Sequence, residues 1–193
     1  NIYFCNGNEI MKKNYEKKVV KFGGSSLADA NQFRRVAAIV KADPARRYVV
    51  ASAPGKRSKE DIKVTDLLYQ CSDEIKAGDL AAFENTFVKI RKRFMQIQTE
   101  TGKDVGMAQS LDLIEQEIRK GAGRDYCASR GEYLAAKIMA SVLEIPFVDA
   151  TEFIRFPADG TLDEKTFDMA KEILLQYPRA VIPGFYGLGA DGK

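Results

Sequence analysis

The sequence predicts an α/β fold whose mostly parallel sheet is sandwiched by helices. Short runs rich in β-branched residues alternate with amphipathic helical patterns, as in strand–helix–strand units. Turns that contain glycine follow several of these runs, at the ends of strands where such folds bind ligands. The chain has 193 residues, enough to bury a core of its own, and its 45% apolar and 30% charged composition is that of an ordinary globular protein.

Lys17–Phe22 and Asp29–Lys41 are the first predicted strand and helix. The helix is indicated by apolar residues that recur at helical spacing on one face, namely Phe33, Val36, Ala37 and Val40. It is expected to end at Asp43-Pro44, because the residue before a proline is pushed out of the helical region.

The rest of the chain continues the same alternation. Further strands are predicted at Arg47–Ala51, Ile145–Asp149 and Ala180–Ile182, with a short edge piece at Thr151–Phe156. Further helices are predicted at Thr65–Lys76, Leu80–Gln98, Met107–Lys120, Ser129–Leu143 and Asp163–Tyr177. A polar loop, Ala53–Lys63, joins the second strand to the helices that follow it.

Composition excludes several classes of function. The net charge is +3, and the basic residues are interspersed with acidic ones, so no nucleic-acid partner is expected. Because no apolar run approaches the length of a bilayer span, no membrane association is expected. Cys5, Cys71 and Cys127 fit neither zinc spacing nor a disulfide framework, which indicates a reducing cytoplasm. The chain has no histidine, which excludes Ser-His and Cys-His nucleophiles and histidine-based zinc sites.

The turn after the first strand has the features of an anion site. Paired glycines, Gly23 and Gly24, allow the backbone to approach a phosphate closely, and Ser25 adds a hydroxyl. The following helix offers unpaired N–H groups to the same anion, and Lys21 supplies a cation. A plain connection between strand and helix would explain the glycines equally well.

Three later segments have both a structural and a functional interpretation. Ser52–Gly55 follows the second strand and could line the same crevice, or could be an ordinary surface loop. Thr65 is explained by capping of the next helix, or it could contact a ligand. Glu132 is predicted in the first turn of its helix, where the dipole favours a carboxylate, or it could pair with a ligand ammonium group.

Taken together and in this order, these segments resemble the aspartokinases of the amino-acid kinase family. The matching motifs are Lys21-Phe22-Gly23-Gly24-Ser25-Ser26, Val50-Ala51-Ser52-Ala53 with Thr65-Asp66, Ser129-Arg130-Gly131-Glu132, and Pro183-Gly184-Phe185-Tyr186-Gly187. The similarity covers Lys17 to Lys193. One departure is Ser25, where the family often has threonine; the hydroxyl is retained.

The resemblance implies an ATP-dependent aspartate kinase. Such an enzyme transfers the γ-phosphoryl group of Mg-ATP to the β-carboxylate of L-aspartate, the first step toward lysine, threonine and methionine. ATP and Mg²⁺ are the implied cofactors, with no metal ligand assigned in this chain. The implied phosphate-binding residues are Lys21, which would also be catalytic, Phe22, Gly23, Gly24 and Ser25. The implied aspartate-binding residues are Ser52, Thr65 and Glu132.

The resemblance also suggests how the chain is organised. Residues 1–16 are expected to be a leader, and residues 17–193 the N-terminal portion of a kinase domain, without regulatory ACT domains. We therefore expect the isolated chain to be inactive and the complete protein to be a homo-oligomer. Two alternatives stay open: another amino-acid kinase, or a non-catalytic module that binds aspartate or nucleotide.

Overall fold

The computed structural model describes residues 17–190 and Gly192, so the predicted leader lies outside the described residues. The strands are β1 (Lys18–Phe22), β2 (Arg46–Ala51), β3 (Arg155–Phe156), β4 (Ala180–Pro183) and β5 (Leu188–Gly189). The helices are α1 (Ala30–Lys41), α2 (Val64–Lys76), α3 (Leu80–Thr101), α4 (Met107–Arg119), α5 (Arg124–Leu143) and α6 (Lys165–Gln176). Short 3₁₀ turns follow β1 at Gly24–Leu27 and precede β3 at Ala150–Glu152.

The main sheet is parallel, as predicted, with the strand order β1-β2-β4. Parallel strands need crossover helices, and here α1 joins β1 to β2 while α2–α6 lie between β2 and β4. A second, two-stranded sheet pairs β3 with β5, also in parallel. The predicted edge piece at Thr151–Phe156 is therefore a 3₁₀ turn followed by a strand of two residues in a separate sheet.

One face of the main sheet packs against α1–α5. Side chains alternate between the two faces of a strand, and this face carries Val49 and Ala51 from β2 and Val181 from β4. The helices contribute large apolar side chains that are fully buried, among them Phe33, Phe83, Phe87, Phe94 and Ile90. Burial of apolar side chains at this density is the main stabilising contribution to the fold.

The opposite face packs against α6, which completes the predicted sandwich. Tyr48 of β2 and Ile182 of β4 lie in this second core with Met169 and Ile173 from the helix. The Tyr48 hydroxyl donates a hydrogen bond to the backbone carbonyl of Leu174 at 3.0 Å, so the buried phenol is satisfied. The two cores hold the strands from both sides and fix the sheet edge where the turns emerge.

The predicted strand Ile145–Asp149 is wrong in extent. Only Phe147 forms a bridge, to Val181; the N–H of Val148 donates to the carbonyl of Val181, and the N–H of Val181 donates to the carbonyl of Pro146. Pro146 has no N–H to donate to a ladder. Asp149 already caps the next 3₁₀ turn, where its side chain accepts from the backbone of Thr151. The segment is therefore a single bridge beside β4.

The predicted start of α5 at Ser129 is also wrong, because the helix begins five residues earlier. Gly123 in extended conformation precedes it, and Asp125 in the first turn is favoured by the helix dipole. The added turn buries Cys127 and Ala128 completely. Among the described residues, no helix combines the length and the hydropathy needed to cross a membrane.

Candidate active site

The three strands of the main sheet end level with one another. Phe22 of β1 lies beside Ala51 of β2, which in turn lies beside Pro183 of β4. The turns that follow these residues therefore leave the sheet at the same edge. This is the edge at which open α/β sheets bind their ligands.

Backbone contact joins the first two turns. The N–H of Gly55 donates to the carbonyl of Gly24 at 2.8 Å. A Cβ on Gly55 would lie 2.7 Å from the carbonyl carbon of Gly24, and a Cβ on Gly24 would lie 2.9 Å from the carbonyl oxygen of Ala53. Both residues must therefore be glycine for the turns to approach so closely.

Helix α5 packs on the second turn through another glycine. A Cβ on Gly131 would lie 2.7 Å from the Cβ of Ala53, and Leu68 and Val64 of α2 close the remaining space. This close approach brings the neighbouring Glu132 to the sheet edge.

A cleft of about 460 Å³ lies where these segments meet. Its lining consists of Gly24, Ser25, Ser52, Ala53, Pro54, Gly55, Lys56, Lys63, Thr65 and Glu132. Five predicted site residues are thus brought together from the turns after β1 and β2 and from helices α2 and α5: Gly24, Ser25, Ser52, Thr65 and Glu132. A larger cleft, of about 640 Å³, lies elsewhere on the surface, but this one combines the glycine turns with a buried carboxylate.

Glu132 is the most perturbed group of the cleft. The residue is 7% exposed, and its Oε2 atom is buried without a hydrogen-bond partner among the described residues. Burial raises the pKa of Glu132 to about 7, partly offset by the backbone of Ala53 and the charge of Lys21. An unpaired buried carboxylate oxygen costs about 1–3 kcal/mol, and a ligand cation would offset that cost.

The interpretation of Glu132 as a first-turn residue is wrong, since α5 begins at Arg124 and Glu132 lies in its third turn. The helix dipole acts mainly within the first turn and so does not explain the carboxylate. The interpretation of Thr65 as a helix cap is wrong as well. Lys63 occupies the cap position of α2 without a side-chain bond, and Thr65 is the second residue of the helix. Its half-buried side chain faces the cleft.

Lys21, Phe22 and Gly23 lie next to the cleft rather than in its lining. Lys21 is exposed on β1, and its charge reaches Glu132. The side chain of Phe22 packs against the core, and its carbonyl accepts from the N–H of Ser52 at 3.1 Å. Phe22 can therefore serve the site only through its backbone. Gly23 has open space around it, with no atom within 4 Å of a Cβ placed there.

The third turn, after β4, carries a strained residue. Phe185 has φ 76°, a left-handed conformation that is costly for a bulky side chain, and it is 69% exposed. The neighbouring N–H of Gly184 donates to the carbonyl of Ala51 at 2.9 Å. The turn is thus tied to the end of β2, beside Ser52.

Sequence reasoning missed two lysines of the cleft as site residues, Lys56 and Lys63. They belong to the polar loop Ala53–Lys63, and its basic content next to a glycine turn was the available signal. The described residues contain no group of three or more His, Cys, Asp or Glu side chains placed to hold a metal ion.

The strands end at the same edge of the sheet, and glycine turns, lysines and a buried carboxylate meet there. These features define an α/β protein with a polar ligand cleft at its sheet edge. The sequence matches the family model described as "Amino acid kinase family" over residues 16–193. The chain therefore belongs to the amino acid kinase family.

Individual relatives are aspartokinases. The chain is 32% identical over 188 residues to aspartokinase 3 of Bacillus subtilis, covering 91% of this chain and 41% of the relative. It superposes on Clostridium acetobutylicum aspartate kinase with a TM-score of 0.87 and 45% identity, covering 91% of this chain and 40% of that one. It shares the fold of Escherichia coli aspartokinase III, solved with aspartate and ADP, with a TM-score of 0.75, 20% identity, and coverage of 90% and 41%. The chain thus spans about two fifths of the length of these relatives.

Proposed function

We propose that this chain carries the aspartate- and phosphate-binding part of an aspartate kinase. In this reaction the β-carboxylate of L-aspartate attacks the γ-phosphorus of ATP, the bond from the γ-phosphorus to the bridging oxygen breaks, and 4-phospho-L-aspartate and ADP are formed. The observation that carries the proposal is the Oε2 atom of Glu132, which finds no hydrogen-bond partner within the described part of the chain, in a cleft whose other wall is the Gly24–Gly55 contact. Similarity to aspartokinases over 91% of the chain supports the assignment.

The glycine turn is the proposed phosphate path. The space above Gly23 leaves room for an anion, and the first N–H groups of the 3₁₀ turn that follows have no partner within that turn. Ser25 adds a hydroxyl donor to the lining, and the exposed Lys21 precedes the turn on β1. In the proposed mechanism, Lys21 offsets the charge that develops on the transferring phosphoryl oxygens.

The proposed aspartate site lies on the other side of the cleft. Glu132 would pair with the ammonium group of aspartate, and this ion pair would lower the pKa of Glu132 from its value of about 7. Ser52 and Thr65 present half-buried hydroxyls to the same space. They would orient the substrate, because hydroxyls can donate to its carboxylates.

This chemistry requires no base. The side-chain carboxyl of aspartate has an ordinary pKa near 4, so it is already ionised at neutral pH. The absence of histidine from the 193 residues fits a nucleophile of this kind. Positioning and charge stabilisation then account for catalysis of phosphoryl transfer.

The residues of the cleft are compatible with ATP whose Mg²⁺ is held mainly by the phosphates rather than by protein side chains. Mg²⁺ is commonly held by substrate phosphates with few protein ligands, and the described residues form no metal-binding cluster. When bound to ATP, Mg²⁺ supplies charge neutralisation on the β- and γ-phosphates. Lys56 and Lys63 add positive charge to the lining of the cleft.

We further propose that residues 17–193 are the N-terminal portion of a larger catalytic domain, since the chain spans about two fifths of its relatives. A reducing, cytoplasmic location is supported by two free cysteines, Cys71 and Cys127, buried in the core. We also propose a homo-oligomer for the complete protein.

Product analysis tests the proposed reaction. The complete protein is incubated with ATP, Mg²⁺, aspartate and hydroxylamine, which traps an acyl phosphate as the hydroxamate. We expect aspartyl hydroxamate, and we expect kcat/KM for aspartate, measured by ADP release, to be at least 100-fold above the values for glutamate, acetylglutamate and UMP. Preference for one of those three would assign the chain to another activity within the family. Aspartate binding without turnover would favour a non-catalytic module.

A further inference from the structure

Arg93 of α3 is a charged residue in a core position. The buried face of the helix recurs every three or four residues, and its other large members are apolar: Phe83, Phe87, Ile90, Phe94 and Ile97. The Arg93 side chain is 4% exposed. Burial lowers the pKa of its guanidinium from the ordinary value, and the neighbouring charge of Arg57 acts in the same direction. An apolar residue would fill this place without the cost of taking a charge out of water.

The guanidinium of Arg93 contacts three separate segments of the chain. One nitrogen donates to the carbonyl of Gly55 at 3.0 Å and reaches the carbonyl of Ala28 at 3.5 Å. The other terminal nitrogen donates to the carboxylate of Asp61 at 2.5 Å. Gly55 belongs to the second turn, Ala28 follows the 3₁₀ turn that starts at Gly24, and Asp61 lies in the loop before α2.

Asp61 extends the network along that loop. Its carboxylate also accepts from the backbone N–H of Arg57 at 2.9 Å and from the Arg57 side chain at 2.8 Å. These hydrogen bonds, with the nearby charge of Arg93, hold the pKa of Asp61 well below its usual range. The loop is thereby closed on itself between the two cleft lysines, Lys56 and Lys63.

We infer that Arg93 is a positioning residue that fixes the two glycine turns of the cleft relative to each other. Gly55 is held through both of its backbone polar groups: its N–H donates to Gly24, and its carbonyl accepts from Arg93. The same guanidinium reaches the far end of the segment that begins at Gly24. The distance between the two turns therefore depends on a side chain that does not line the cleft.

The planar guanidinium is suited to this task. It presents several donors in a fixed geometry, whereas a lysine ammonium acts as a single compact charge on a flexible stem. Arg93→Lys keeps the charge beside Asp61 and is expected to fold, but it cannot reach both carbonyls and the carboxylate together. Arg91→Lys is the matched control, because Arg91 lies on the same helix and pairs with Asp112 and Glu115 away from the cleft.

Amide hydrogen exchange and steady-state kinetics of the complete protein test this inference. In Arg93→Lys we expect the N–H groups of Gly55 and Arg57 to exchange at least ten times faster, with the Ser52 amide unchanged. Because a misplacement of about 1 Å can cost about 100-fold in rate, we expect kcat to fall by about 10- to 100-fold. KM for aspartate should change less than threefold, and Arg91→Lys should match the wild type in both measurements.

Two results would overturn the inference. One is unchanged exchange at Gly55 and Arg57 in Arg93→Lys, and the other is faster exchange with kcat within twofold of Arg91→Lys. The kinetic arm rests on the proposed function, whereas the exchange arm does not. If the wild-type protein formed no aspartyl phosphate, the proposed function would fail, and the exchange rates alone would decide whether Arg93 holds the turns.

Discussion

At the scale of single residues, the cleft depends on one carboxylate. Glu132 is 7% exposed, and one of its oxygens has no partner among residues 17–190 and 192. Burial raises the pKa of Glu132 to about 7, because it disfavours the charged form. A buried charge of this kind destabilises the empty protein. Its presence is explained if a substrate cation completes the pair.

The pH dependence of stability follows from this pKa. The pKa of Glu132 rises from about 4.5 to about 7 on folding, so the folded protein binds the proton more tightly than the unfolded chain. The resulting stabilisation is fully present below about pH 4.5 and is lost as the pH rises through about 7. Between pH 5 and 8 we expect wild type to lose about 2–3 kcal/mol relative to Glu132→Gln, measured by urea unfolding without ligand. Exposed Glu117→Gln is the control, and parallel curves for wild type and Glu132→Gln would contradict the assignment.

Gly23 and Gly55 are expected to respond differently to substitution by alanine, because Gly23 has a proposed ligand role and Gly55 a packing role. A Cβ on Gly23 would meet no atom within 4 Å and the φ of Gly23 is −77°, so Gly23→Ala should change the free energy of unfolding by less than about 0.5 kcal/mol. The added methyl group would occupy the proposed phosphate path, and we expect KM for ATP to rise at least tenfold. Gly55→Ala is the structural counterpart, with an expected loss of about 1–3 kcal/mol from its clash with Gly24. An unchanged KM for ATP in Gly23→Ala would remove Gly23 from the site.

At the scale of elements, the close contact between α5 and the second turn brings Glu132 to the sheet edge. Helix propensity alone predicts that Gly131→Ala stabilises α5 by up to about 1 kcal/mol. The clash of the new Cβ with Ala53 at 2.7 Å predicts the opposite sign, a loss of about 1–3 kcal/mol. Urea unfolding decides between them, with half-buried Ser141→Ala on the same helix as the control. A stabilised Gly131→Ala would mean that α5 does not depend on this close approach.

The elements themselves were largely predictable from periodicity. The strand and helix around the Gly23-Gly24 turn follow from local pattern, and the structure confirms them within two residues. Ile145–Asp149 had a strand-like composition, but Pro146 and the capping role of Asp149 leave only one bridge. The hydrophobic pattern alone does not show that a proline and a capping residue will prevent a segment from forming a strand.

The contacts that build the site were less predictable. Arg93 and Gly55 are 38 positions apart, and an arginine on an amphipathic helix is ordinarily assigned to the solvent face. The Gly24–Gly55 contact likewise depends on the level ends of β1 and β2. The motifs predicted which residues would form the site, five of which line the cleft, whereas tertiary packing decides how they meet.

At the scale of the whole molecule, the site lies at a flank of the described sheet. β1 pairs with β2 on one side only, and Val19 of β1 is 66% exposed. Lys21, on the same strand, is exposed as well. We therefore expect the 193-residue chain alone to form less than a hundredth of the aspartyl hydroxamate formed by the complete protein under the same conditions. Turnover by the isolated chain within tenfold of that of the complete protein would contradict this prediction, because it would show that the 193 residues suffice for catalysis.

The most direct test of an aspartate kinase is Lys21→Ala in the complete protein, with phosphoryl transfer and aspartate binding measured separately. Lys18→Ala is the control, since Lys18 lies on the same strand and pairs with Asp43 at the surface. Removal of a group that stabilises the transition state typically lowers kcat by about 100- to 1,000-fold. We expect that loss in Lys21→Ala, with the Kd for aspartate within threefold of wild type and Lys18→Ala unaffected. Retention of more than a tenth of wild-type kcat by Lys21→Ala would contradict the proposed mechanism.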